Sequence, residues 1–127
     1  MSKTLLVGAG GFLGSVLRYV LGGLVQSAFG NSTFPYGTLV INATGCFLIG
    51  LFSQLVEVQG ALSPGGRAFL LVGLLGGYTT FSAFGNETAN LLRDGQRLAA
   101  GVNIGAQLVL AIFAVWLGRL VAQLIWS

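Results

Sequence analysis

The chain of 127 residues is 54% hydrophobic, holds 21 glycines and carries only six basic and three acidic residues, for a formal charge of +3. Soluble domains are roughly one-quarter charged, so a charged share of 7% leaves too little polar surface for water, and its scatter along the chain excludes a nucleic-acid patch. With no histidine and the single Cys46, a zinc cage, a disulfide framework and His-based catalysis are excluded too; what remains is a small integral membrane protein, not an enzyme.

A bilayer core about 30 Å thick takes roughly 20 apolar residues as a helix, and four such runs follow one another. The first, Thr4 to Gln26, contains Arg18, which together with the lack of an A-x-A site argues against a cleaved leader. Its opening, Leu5 to Gly14, imitates a dinucleotide-binding glycine loop, but residues 19 to 56 hold no charge to grip a ribose. Gly8, Gly11, Gly14 and the Gly10-x-x-x-Gly14 pair are expected instead to let helices approach closely in lipid.

The second run, Gly37 to Gln59, starts after the Phe34-Pro35-Tyr36 break and places Thr38 and Asn42 one turn apart on one face. A carboxamide in hydrocarbon is costly, so Asn42 must face protein or water. Cys46 reads as a small apolar residue without a role. Ser63-Pro64-Gly65-Gly66 then reads as a turn.

The third run, Arg67 to Leu92, is expected to break near Gly76-Gly77-Tyr78-Thr79-Thr80, where glycines would free main-chain groups. Broken backbone at membrane depth is tolerated only where protein covers it or it lines a cavity, and its carbonyls can hold a cation. Phe81, Phe84 and Glu87 follow at helical spacing, and a ring edge is positive enough to meet an anion. After the charged turn Arg93 to Arg97, the fourth run, Leu98 to Ile125, carries Asn103 and Gln107 on one face, continued by Ala111 and Val115. Gly101-x-x-x-Gly105 is expected to serve helix packing there.

Four spans put Lys3 and Arg67 on one side and Arg93 and Arg97 on the other; with Arg18 and Arg119 the basic count is three against three. The positive-inside rule then has nothing to act on. Insertion in both orientations, followed by assembly of an antiparallel twofold dimer, is the expected outcome.

These residues resemble the small bacterial and archaeal fluoride channels called Fluc or CrcB, over the whole chain as one domain, 1–127. The resemblance rests on Gly11-Phe12-Leu13-Gly14 with Arg18, on Pro35 to Asn42, and on Gly76-Gly77-Tyr78-Thr79-Thr80-Phe81-Ser82-Ala83-Phe84 with Glu87. It implies an all-α, four-span protein of the plasma (inner) membrane with a broken third helix, and an antiparallel homodimer with two fluoride pores. It further implies a structural sodium ion at the dimer interface on the Gly76 and Thr79 carbonyls. By matching positions, Asn42 would donate its amide to fluoride, Phe81 and Phe84 would offer ring edges, and Thr38, Thr80 and Ser82 would supply hydroxyls. Gln107, in the span-four stripe, joins this lining, with Arg18 and Glu87 at the vestibule. Where the family usually carries hydroxyls, this chain has Ala83, Ala111 and Val115, so it conducts along a shortened polar track or pairs with a different partner chain as a heterodimer. A multidrug-resistance-like cation exporter is the competing class, but it needs a carboxylate in the first span, and none is present.

Overall fold

The computed structural model describes residues 1–127, and every regular element in it is a helix. Helix α1 spans Lys3–Ala28, started by the Ser2 hydroxyl, which accepts from the Leu5 amide. Helix α2 spans Tyr36–Gln59 and ends at Gly60, whose φ of 59° is the left-handed stop that favours glycine. Helix α3 follows as three abutting pieces, Pro64–Arg67, the wide-turned π segment Ala68–Leu75, and Gly76–Tyr78. After a two-residue break come α4, Phe81–Arg93, and α5, Arg97–Trp126. Taken together, α3 and α4 make the third of four helical stretches long and apolar enough to cross a membrane.

Two expectations about the third span need correction. The turn expected at Ser63-Pro64-Gly65-Gly66 is already the cap and first turn of α3, which begins at Pro64 and not at Arg67: Ser63 accepts from the Gly66 amide and Pro64 takes the first helical position, where its missing N–H costs nothing. The glycines at 76 and 77 do not break the helix. Helical geometry runs through both to Tyr78, and the chain becomes extended at Thr79 (φ −84°, ψ 157°) and Thr80 (φ −151°, ψ 118°).

The glycines act in packing instead. A methyl group on Gly10 or Gly14 would overlap the Phe69 or Leu74 carbonyl of α3, and one on Gly77 would come within 2.7 Å of the Gly11 carbonyl. Gly118 and Gly50 let α5 and α2 meet in the same backbone-to-backbone way, against Phe47 and Val115. Gly8, Gly101 and Gly105, by contrast, meet nothing in the chain, so the packing role expected of them is not realised within it. Only 21 of 127 residues are buried, while Phe12, Val20, Val109 and Ile112 point outward. That inversion suits hydrocarbon rather than water.

Candidate functional site

The break interrupts the helical hydrogen-bond ladder, and Asn42 of α2 repairs it. Its Oδ1 accepts from the Thr80 amide at 2.8 Å, and its Nδ2 donates to the Thr80 carbonyl at 2.9 Å. Because one main-chain donor and one main-chain acceptor bind it at once, the carboxamide has a single possible orientation. The second Nδ2 hydrogen goes to Gln107 Oε1 at 3.1 Å. That bond orients Gln107 in turn, and Gln107 Nε2 is left buried with no partner.

One turn earlier on α5, Asn103 is fully buried and donates to the Thr88 hydroxyl at 3.0 Å, while its Oδ1 has no partner. Thr88 itself donates to the Phe84 carbonyl at 2.8 Å. A buried polar line therefore ties α4, α5 and α2 to the break, with one orphan donor and one orphan acceptor in it. Sequence reasoning missed Thr88; its place one turn after Phe84 was the available signal.

The break also releases carbonyls. The Thr80 amide, engaged by Asn42, is lost to Gly76, and the Ala83 amide goes to the Thr80 hydroxyl at 3.2 Å rather than to Thr79. Thr79 instead accepts from Arg18 Nη1 at 3.2 Å. A carbonyl oxygen keeps a second lone pair, so Gly76 and Thr79 are the residues whose main-chain oxygens could hold a small monovalent cation. Arg18 brings a competing positive charge to one of them.

Two cavities flank the break. An open vestibule of about 710 Å³ is lined by Arg18, Gln26, Thr38, Thr80, Ser82 and Glu87, among others. In it Thr38 donates its hydroxyl hydrogen to Glu87 Oε1 at 2.7 Å, while Glu87 Oε2 is buried without a partner. The Thr80 and Ser82 hydroxyl oxygens stand 3.3 Å apart. The second cavity, about 190 Å³, is bounded by Asn42, Cys46, Phe81, Phe84, Gln107 and Ala111 among its lining residues. The two phenylalanine rings meet edge to face, with centroids 5.4 Å apart and planes at 60°. Phe84 is buried, whereas Phe81 is 78% exposed. Cys46, taken from sequence as having no role, stands one turn from Asn42 and lines this cavity.

Thr38, Asn42, Thr80, Ser82, Phe81, Phe84, Gln107, Arg18 and Glu87 thus gather around one break at two adjoining cavities, and Gly76 and Thr79 present its freed carbonyls. No group of three or more His, Cys, Asp or Glu side chains is close enough to hold a metal, and the polar side chains are amides and hydroxyls. Two adjoining cavities lined by amides, hydroxyls and aromatic rings among four apolar spans are what a multi-pass membrane protein of the ion-channel class presents.

The particular family follows from comparison with known proteins. The family described as "CrcB-like protein, Camphor Resistance (CrcB)" matches residues 5–119, and the chain belongs to it. It is 50% identical over 124 residues to "Fluoride-specific ion channel FluC" of Opitutus terrae, covering 96% of this chain and 93% of that one. It is 47% identical to the protein of that name from Flavobacterium psychrophilum, covering 97% and 98%. To "Fluoride-specific ion channel FluC 3" of the archaeon Methanosarcina barkeri it is 45% identical, covering 96% and 91%.

Proposed function

We propose that this chain is a passive, fluoride-selective channel that lets fluoride leave the cytoplasm across the inner membrane. The observation that carries this is the meeting at Thr80 of two cavities, one lined by Arg18, Thr38, Ser82 and Glu87 and the other by Asn42, Gln107, Phe81 and Phe84. Gln107 keeps the free amide N–H there, while both amide hydrogens expected of Asn42 for the ion are taken by Thr80 and Gln107. Fluoride is small and tightly hydrated, so its water must be replaced by donors, yet conduction requires that no donor hold it for long. Amide N–H groups, hydroxyls and ring edges meet both conditions, and a lysine or arginine in mid-path would not. Arg18 stands at the vestibule, where it raises the local anion concentration. The relatives' names support fluoride as the ion.

We further propose an antiparallel twofold homodimer as the working form, with the bilayer around it. Ser82 and Asn86 are exposed within the third span beside the exposed Phe81; polar side chains there avoid lipid, and a second copy would cover them. Gly76 is exposed as well, so its carbonyl is open to a neighbouring copy and to a sodium ion of structural role. The deciding experiment is initial efflux from proteoliposomes of the purified chain alone, with fluoride and chloride compared. Rapid fluoride loss with little chloride loss is the expected result. No flux from the chain alone, restored by co-reconstitution with a second family member, would make it one half of a heterodimer.

A further inference from the structure

Gln26 commits its whole carboxamide to the segment that joins α1 to α2. Its Oε1 accepts from the Gly37 amide at 3.0 Å, and its Nε2 donates to the Phe34 carbonyl at 3.0 Å and the Ser32 carbonyl at 3.2 Å. Helix α2 has no cap of its own, because Pro35 occupies the N-cap position and offers no side-chain acceptor. The first amides of a helix are orphans that a side chain normally takes up from that position. Gln26 takes up the second of them from another helix.

Gly37 is also where α2 sits directly on α1, since a methyl group there would come within 2.5 Å of the Gly22 carbonyl. One residue on stands Thr38, bonded to Glu87, and one turn further stands Asn42, bonded to Thr80. Successive helical residues keep a fixed angular relation, so whatever sets the rotation of Gly37 sets the direction of both. Gln26 lines the same vestibule as Thr38 and Glu87, but both of its amide hydrogens are occupied, so it acts on the path through Gly37 and not as an anion ligand.

We propose that Gln26 is a positioning residue: it caps α2 from α1 and so aims Thr38 at Glu87 and Asn42 at the break. Its effect on flux rests on the channel function proposed above; its effect on the α2 amides does not.

The test compares the parent with Gln26→Met, which keeps length and bulk without hydrogen bonds, with Pro35→Ser, which gives α2 a local cap, and with the double variant. The readouts are amide hydrogen exchange over residues 36–42 and the fluoride-concentration dependence of efflux. Gln26→Met should exchange at Gly37 and Thr38 about tenfold or more faster and shift the half-saturating fluoride concentration at least about threefold. Pro35→Ser alone should resemble the parent, and the double variant should return both readouts to within about twofold of it. Parental exchange in Gln26→Met would overturn the proposal, as would fast exchange with an unaltered half-saturating concentration. So would a flux defect that persists in the double variant after exchange is restored. If Gln26→Met does not fold, a folded double variant with parental exchange supports the proposal, and a double variant that also fails overturns it by showing that the Ser32 and Phe34 bonds are what matter. A parent that passes no fluoride would end the channel reading, and the exchange result would still decide whether Gln26 caps α2.

Discussion

Asn42 and Thr80 exchange two hydrogen bonds across the helix break, 2.8 Å from the Thr80 amide and 2.9 Å to its carbonyl. The asparagine thereby stands in for a missing rung of the ladder. Asn42→Ala would leave both main-chain groups of the half-buried Thr80 without their protein partner, at a cost of up to about 1–3 kcal/mol each. Asn42→Asp keeps the acceptor but turns a charge toward two oxygens, the Thr80 carbonyl and Gln107 Oε1. Both variants should lose stability in a thermal aggregation assay and lose more than about tenfold in fluoride efflux.

Gln107 separates stability from conduction. Its Nε2 is buried without a partner, and an unpaired buried donor is a burden in the resting fold. Gln107→Met removes that burden while taking an acceptor from Asn42, so stability should change by no more than about 1 kcal/mol. Efflux should nevertheless fall by about tenfold if the free amide replaces water around the ion. Parental efflux from this variant would remove Gln107 from the lining.

Cys46 lies in the cavity beside the phenylalanines and Gln107. Cys46→Ala enlarges the space slightly and should leave efflux within about threefold of the parent, whereas Cys46→Leu fills it and should block. Block by a small thiol reagent in the parent, absent in Cys46→Ala, would give the same answer by another route.

Much of this was legible because membrane packing leaves strong local marks. Long uncharged runs gave the four spans, and Gly10-x-x-x-Gly14 does face α3. The break falls within the expected Gly76 to Thr80 stretch, at Thr79 and Thr80, but the glycines do not make it, because their smallness and not their freedom is what the fold uses. Gly77 is spent on a close approach to Gly11, and the real break needs Asn42, 38 residues earlier in the chain, to receive the Thr80 amide. No window of sequence contains that pair. The Gln26 clasp was missed for a different reason, since a glutamine at a helix end usually faces water and only the fold brings Gly37 beneath it. Cys46 lines the second cavity one helical turn from Asn42, a spacing plain in the sequence.

Phe81 and Phe84 make an edge-to-face pair of which one ring is buried and the other almost wholly exposed. Phe84→Ile should cost stability as well as flux, because it shrinks a buried side chain. Phe81→Ile should leave the isolated fold unaffected and still slow fluoride efflux at least about tenfold, because an aliphatic group has no positive edge to offer an anion. Wild-type efflux from a well-folded Phe81→Ile variant would show that this ring only packs.

The outward-facing Phe81 and the even spread of basic residues lead to one further test. Lys3 and Arg67 lie at one end of the bundle, and Arg93 and Arg97 at the other, so nothing in the loops favours one orientation. If the working unit is an antiparallel pair, adding two or three lysines to the loop between α2 and α3 should hold all copies one way round and abolish efflux. Adding them instead between α4 and α5 should do the same with the opposite orientation. Neither biased chain would then expose a correctly opposed Phe81, Ser82 and Asn86 face to its neighbours. Co-expression of the two should restore efflux, because each supplies the orientation the other lacks. Full efflux from either biased chain alone would rule out the antiparallel pair and leave the exposed polar face to be covered in some other way.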